Sequence, residues 1–332
     1  MRENYQFTDE LADHVDRSFN FVVPEVIDDK FREDFDNQLD GFYAKMFGGK
    51  EEQFLVSKVC DSHISANGIE IPIRIYWPIT EETSSLPCMM MYHGGGFITG
   101  SIKGLDYFSR YVCKNSKRIV VSVNYRLAPQ FKFPAAVEDS FAALQYVYKN
   151  ADELGIDKGR ISVCGDSAGG NLAAVMALKG KKAGIPIDKQ VLVYPAVDMT
   201  PHRNKSRERY GKGYSLDIKE EGGPVSLYVE HEEDLKSPDV SPLFAKDEDC
   251  RGIAPAFIVM AGCCPITSDC LLYADKLRAN GVVVKEKIYH CMPHSFIIFN
   301  YPETFAALDD ISNFLKTGEI SEGGTAEAIC LE

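Results

Sequence analysis

The residues best suited to chemistry lie where a strand pattern ends. Ile161, Ser162, Val163 and Cys164 form a short, mostly apolar run, Gly165-Asp166-Ser167-Ala168-Gly169 follows, and a small-residue helical pattern opens at once. A serine hydroxyl is a weak nucleophile unless a base removes its proton and nearby donors hold the oxyanion formed on attack. A G-x-S-x-G turn between strand and helix is so sharp that the serine Oγ stands exposed. Side chains at the flanking glycines would strike neighbouring backbone. The helix that follows also aims its positive end at the developing oxyanion. G-x-S-x-G is common by chance, and an inert Gly/Ser turn is the bland alternative. The strand–turn–helix setting favours Ser167 as a nucleophile.

A second segment, Tyr92-His93-Gly94-Gly95-Gly96-Phe97, comes directly after the apolar run 88–92. A phosphate cradle would need Gly-Lys-Ser/Thr and an opening helix, and neither follows. Successive glycines instead free backbone N–H groups to face a site. The amides of Gly95, Gly96 and Ala168, with Gly94 as a further candidate, would form an oxyanion hole, each donor worth about 3 kcal/mol in the transition state. His93 reads as a residue that orients this loop. The general base should lie far downstream, because the order in such sites is serine, acid, histidine. Beyond His231 the chain has His290 and His294. His294, in the loop after the strand pattern 282–288, is the expected base, and His290 reads as structural. His202 and His231 fall in a polar stretch and are expected to be solvated.

The elements that must hold these residues are legible in outline. Residues 54–59 and 69–77 alternate as an antiparallel pair, with a turn at Asn67-Gly68. Apolar runs follow at 88–92, 119–123, 161–164, 191–194, 256–260 and 282–288, separated by helical patterns such as 135–148, 169–178 and 269–279. Strands alternating with helices imply an α/β fold whose mostly parallel, eight-stranded sheet is covered by helices on both faces. Between 198 and 255 the alternation gives way to a polar, Gly/Pro-rich stretch, which reads as an insertion. Near the N-terminus, Leu11, Val15, Phe31, Phe35, Leu39, Phe42, Tyr43 and Met46 recur at helical spacing. The expected organisation is one domain over 1–320. Its core is 51–199 and 246–320, its covering segments are 1–50 and 200–245, and 321–332 is a polar tail.

Bulk properties narrow the partners. A net charge of −13 over 332 residues argues against nucleic acid or an anionic membrane. No apolar run approaches a membrane span. The opening MRENYQFTDE lacks the basic-then-apolar order of a secretory signal, so the expected location is the cytoplasm. The ten cysteines are scattered and read as reduced thiols, with no ligand spacing for a metal. No cofactor is implied, the expected partner is a small molecule, and a homodimer is left open.

Taken together, His93-Gly-Gly-Gly-Phe97, Asn124-Tyr-Arg-Leu-Ala-Pro129, Phe133-Pro-Ala-Ala-Val-Glu-Asp139, Gly165-Asp-Ser-Ala-Gly-Gly-Asn171, Ser241-Pro-Leu243 and His294-Ser-Phe296 resemble the hormone-sensitive-lipase-like branch of the α/β-hydrolases. These are carboxylesterases with an HGGG oxyanion motif, and the motifs run in the family's order across residues 55–315. The resemblance implies an α/β-hydrolase fold whose helical cap comes from the N-terminus and the insertion near 200–245. It also implies hydrolysis of short-chain acyl esters through an acyl-enzyme on Ser167, with His294 as the base.

One position departs from the family. Pro265 and the downstream Tyr273-Ala-Asp-Lys-Leu277 align so that Cys264 stands where the catalytic aspartate belongs. That acid fixes the histidine tautomer and stabilises the imidazolium. An ordinary thiol, with a pKa of about 8.5, is mostly neutral near pH 7 and is no substitute. In a well-studied serine protease, losing the acid alone costs roughly 10⁴-fold, less than losing serine or histidine. Asp269, at the start of a helix, and Asp198, after the run 191–194, are candidate surrogates. Without either, the site is a slow Ser–His dyad, a lyase-like variant or a ligand-binding relic. Retention of both Ser167 and His294 argues against complete loss of catalysis.

Overall fold

The strand β3 (Leu86–Tyr92) is buried at nearly every position, so the sheet it belongs to must be covered on both faces. A computed structural model describes residues 27–48, 51–66, 68–82, 84–218 and 223–321 of the chain. Among the described residues one sheet has eight strands: β1 (Lys58–Ala66), β2 (Ile69–Trp77), β3, β4 (Ile119–Val123), β5 (Ile156–Asp166), β6 (Ile187–Val193), β7 (Ala256–Cys263) and β8 (Val284–Pro293). Their spatial order is β1-β2-β4-β3-β5-β6-β7-β8. The β1/β2 and β2/β4 pairs are antiparallel and the remaining pairs parallel. This is the α/β-hydrolase sheet that the motifs implied.

Side chains alternate between two cores. Met90, Val121 and Ile258 join α3 (Ala135–Lys149), α4 (Ala168–Lys182) and α5 (Thr267–Ala279) on one face. Met89, Met91, Val120 and Val259 join α2 (Asp106–Ser116) and α6 (Pro302–Thr317) on the other. Arg118, almost wholly buried, ties several strands together. It donates to the Cys88 and Arg160 carbonyls, the Ser162 hydroxyl, the Asp188 carboxylate at 2.7 Å and the Leu315 carbonyl at 2.6 Å. Among the described residues no helix is long and apolar enough to cross a membrane.

Strand boundaries differ from expectation where tertiary packing overrides local pattern. The first strand begins at Lys58 rather than at 54, and Glu51–Phe54 is a 3-10 turn. Phe54 is taken by the rings of Tyr107 and Tyr111 on α2, 6.3 and 6.0 Å away, rather than by a strand neighbour. Strand β8 runs to Pro293, so His294 stands at the strand's very end. In the N-terminal region, α1 (Asp29–Phe47) is capped by Asp28, whose carboxylate accepts from the Phe31 amide. Arg32 on α1 reaches the carbonyls of Ile98 and Ala128, which docks the helix beside the glycine-rich loop. The expected helical positions Leu11 and Val15, the turn residue Asn67 and the tail after 321 lie outside the described residues, as do the side chains of Leu39, Phe42, Tyr43 and Met46. The stretch 200–245 carries the short helices Lys205–Tyr210 and Pro224–Tyr228.

A Cβ added at Gly169 would lie 1.9 Å from the Tyr92 carbonyl oxygen and 2.6 Å from that of His93. Helix propensity alone would make Gly169→Ala stabilising by up to about 1 kcal/mol. The clash is with strand backbone that cannot step aside, so the substitution should instead cost about 3 kcal/mol. Urea unfolding midpoints of the two proteins check this, and an unchanged or raised midpoint would refute it.

Candidate active site

Ser167 sits between β5 and α4 with φ 53° and ψ −114°, a conformation costing on the order of 1–3 kcal/mol in a non-glycine residue. The surroundings impose it. The Ser167 amide donates to the Val193 carbonyl, and the Ser167 carbonyl accepts from Ala196 and Asn171. A Cβ at Gly165 would meet the Gly169 carbonyl oxygen at 2.2 Å, so the turn closes only with glycine there. Asn171 and Ser241, both in the quoted motifs, brace the neighbouring loop. The Asn171 side-chain amide donates to Ala196 and Val240, and the Ser241 hydroxyl accepts from Met199.

His294 Nε2 lies 2.9 Å from Ser167 Oγ, and Nδ1 lies 3.1 Å from the sulfur of Cys264. Its loop is pinned from both sides. Phe296 packs against Tyr194 and Tyr289, and the Tyr107 hydroxyl donates to the Ile297 carbonyl. Burial pushes the His294 pKa down to about 3, so the imidazole is neutral at any ordinary pH. The Cys264 turn is held by Thr267, whose hydroxyl donates to the Ala261 carbonyl and whose amide donates to that of Cys264. Burial raises the Cys264 thiol to about 12, so it too is neutral.

Neither proposed surrogate acid reaches the imidazole. The Asp269 carboxylate is wholly buried and already engaged. Oδ2 accepts from Arg207 Nη2 at 2.9 Å, while Oδ1 accepts from Asn204 at 2.7 Å and lies 2.9 Å from His202 Nε2. Asp198 accepts from the Thr200 amide and hydroxyl and lies 3.5 Å from His202 Nδ1. Both acids therefore serve a buried polar network that fastens residues 198–207 to the first turn of α5. His202, expected in solvent, is part of it, and Asp269 raises its pKa. His231 is exposed as expected, and His290 is half-buried within β8. Asp198, His202 and Asp269 bring three potential ligand atoms within 4.8 Å of one another, but the Arg207 guanidinium already supplies the cation at Asp269.

The glycine-rich loop leaves β3 with Gly95 at φ 114° and Gly96 at φ 64°. The Gly95 carbonyl accepts from Ile98 and Thr99, whereas no described acceptor takes the amide of Gly95 or Gly96. The Gly94 amide is not available to a ligand, because it donates to Asp166 Oδ1 at 2.7 Å. His93 holds the loop as expected. Its ring stacks on Tyr125 at 4.2 Å, and the Tyr125 hydroxyl donates to the His93 carbonyl. Burial lowers the His93 pKa to about 4, so the ring is neutral and its Nδ1–H donates to the Gly94 carbonyl at 2.8 Å. Two other motifs meet nearby, where Arg126 grips Asp139 through Nε and Nη2.

These groups face a cavity of about 100 Å³. Ser167, His294 and the three glycines form its polar wall; Phe35 of α1, Leu105, Leu216, Pro224 and Ile298 form the apolar one. Asp166, which adjoins the serine and has no motif role that the sequence reveals, also lines it.

The profile of a family described as alpha/beta hydrolase fold matches residues 89–298. The chain is an α/β-hydrolase. It is similar to an arylesterase of Saccharolobus solfataricus, 41% identical over 230 residues that cover 68% of this chain and 73% of that protein. It is also similar to the carboxylic ester hydrolase LipN of Mycobacterium tuberculosis, 36% identical over 278 residues covering 82% and 69%. Among solved structures, a hyperthermophilic esterase from Pyrobaculum calidifontis superimposes with a TM-score of 0.80 at 35% identity, covering 88% of this chain and 94% of that one. The esterase relatives place this α/β-hydrolase where its motifs did, in the hormone-sensitive-lipase-like carboxylesterase branch.

Desolvation raises the Asp166 pKa to about 7, against 3.8 unperturbed. The native state thus keeps a proton that the unfolded chain releases near pH 4. The stability this contributes is full below pH 3.8 and is lost as pH rises towards 7. Asp166→Asn keeps an acceptor for the Gly94 amide and removes the titration. Thermal midpoints measured from pH 4 to pH 7 should show a flatter or more positive slope for the variant than for the wild type. An identical slope would count against the assignment.

Proposed function

We propose that this α/β-hydrolase is a serine carboxylesterase that cleaves small, short-chain acyl esters through a covalent acyl-enzyme. The observation that carries the reading is the 2.9 Å contact between His294 Nε2 and Ser167 Oγ, on an elbow that faces the unengaged amides of Gly95 and Gly96. His294 takes the hydroxyl proton as Ser167 attacks the acyl carbon. The amides of Gly95, Gly96 and Ala168 hold the oxyanion, and His294 returns the proton to the departing alcohol. Water then attacks the acyl-serine with His294 again as base, releasing the acid. Cys264 is the third member in place of an aspartate.

The cavity supports the acyl preference. The cavity, about 100 Å³ and open to solvent on one side, gives a small acyl group such as acetyl or propionyl room beside Ser167. Phe35 of α1 and Ser215, Leu216 and Pro224 of the insertion line it, which is the role of a cap over the site.

A chromogenic aryl acetate should give a burst of alcohol product equal to the enzyme concentration, and Ser167→Ala should abolish it. The steady-state loss should be smaller than in a complete triad. Removing the serine from a full triad costs about 10⁶-fold and removing the acid alone about 10⁴, so with the acid already missing roughly 10² remains to be lost. Aryl decanoate should be a far poorer substrate than aryl acetate. Turnover that survives Ser167→Ala undiminished would overturn the assignment.

A further inference from the structure

We propose that this enzyme selects esters by the acidity of their leaving alcohol, acting on esters of phenols, enols and other acidic alcohols and discriminating strongly against esters of simple alkyl alcohols. The inference rests on the serine-esterase reading above and specifies the substrate class of that same site.

The geometry behind it is the environment of one nitrogen. His294 Nδ1 has the Cys264 sulfur as its partner at 3.1 Å. Asp269 is held by Arg207, Asn204 and His202, Asp198 by Thr200, and Asp166 by the Gly94 amide. No carboxylate among the described residues therefore contacts the imidazole, and His294 is 3% exposed. A carboxylate at Nδ1 can only accept, which forces the proton onto Nδ1 and leaves Nε2 free as a base. A neutral thiol can accept or donate, so it does not impose that tautomer. It also offers no charge to the imidazolium that forms when Ser167 gives up its proton. A buried cation with no counter-charge is expensive, in keeping with the depressed basicity of His294.

This deficiency falls unequally on substrates. In acylation the Ser167 Oγ–acyl carbon bond forms and the Oγ proton passes to His294 Nε2. On collapse the bond from acyl carbon to leaving oxygen breaks, and its electron pair goes to that oxygen. An alkoxide, whose conjugate acid is about as weak as water at pKa ~16, must receive the Nε2 proton as it leaves. It therefore depends on an imidazolium that persists and is aligned. A phenoxide, with pKa about 10, departs as the anion, and the proton passes from Nε2 to phenoxide or solvent afterwards. Deacylation expels the serine oxygen, itself an alkoxide, so acyl-enzyme should accumulate on good substrates.

The experiment is kcat/KM, which reports acylation, for acetates whose leaving groups run from nitrophenol through phenol and trifluoroethanol to ethanol, in wild type, Cys264→Asp and Cys264→Ser. Wild type should show a steep fall with leaving-group pKa. Cys264→Asp should raise ethyl acetate about 10²-fold more than nitrophenyl acetate, the lower range for general acid catalysis, and Cys264→Ser, still neutral, should keep the steep line. A shallow wild-type line, or an equal gain for all esters in Cys264→Asp, overturns the inference. If Cys264→Asp lacks a cooperative thermal transition, the wild-type and Cys264→Ser slopes decide alone. The underlying reading fails separately: nitrophenyl acetate turnover undiminished in Ser167→Ala removes both claims, whereas a shallow line with the expected loss in Ser167→Ala removes only this one.

Discussion

The close approach of the Tyr92 carbonyl to Gly165 and Gly169 is the contact on which the site depends. Tyr92 is the last residue of β3, and the glycine-rich loop begins at the next position. Pressing that carbonyl onto the elbow therefore fixes two things together: the strained conformation of Ser167 and its distance from the loop amides. The Gly94 amide on Asp166 adds a second tie between the same two segments. A turn stored in this way is held by parallel strands that are themselves locked by Arg118 and by two buried cores, so its strain cannot relax locally.

The electrostatics of the site follow from its burial. His93 and His294 are pushed towards the neutral imidazole, Cys264 towards the thiol and Asp166 towards the protonated acid. What remains to stabilise developing charge is a set of oriented backbone dipoles, which suit an anion and do nothing for a cation. Meanwhile the carboxyl group nearest the Cys264 turn in the chain, that of Asp269, is committed to Arg207 and His202. It fastens residues 198–207, in the polar stretch after β6, to α5. Charge here ties one segment of the fold to another, and the reacting histidine goes without.

Much of the core was legible because its residue types answer to local geometry. The strands β2 and β4 and the helix α3 fall almost where the apolar pattern puts them, since period and turn residues suffice for them. The serine elbow, the glycine-rich loop and the terminal histidine were readable for a related reason: a crowded turn admits only glycine, and a base must stand at a strand end. Less legible were features that answer to distant partners. Phe54 reads as strand by itself and is claimed by two tyrosines of α2. His202 lies in a polar run that looks solvated and is drawn between two buried carboxylates.

By itself, then, the chain order determined the chemistry on offer: a serine between glycines, free amides beside it, a histidine after the last strand, and a cysteine in place of an acid. The tertiary structure alone decided how those groups pair. Asp269 and Cys264 are five positions apart, one in the first turn of α5 and the other just before it, and nothing local dictates which of them meets His294. The choice is made some sixty residues earlier in the chain, by Arg207, which pairs with the buried Asp269 carboxylate, and by Asn204, whose side-chain amide donates to it. A buried anion must follow its counter-charge, and only the fold places that counter-charge away from the histidine.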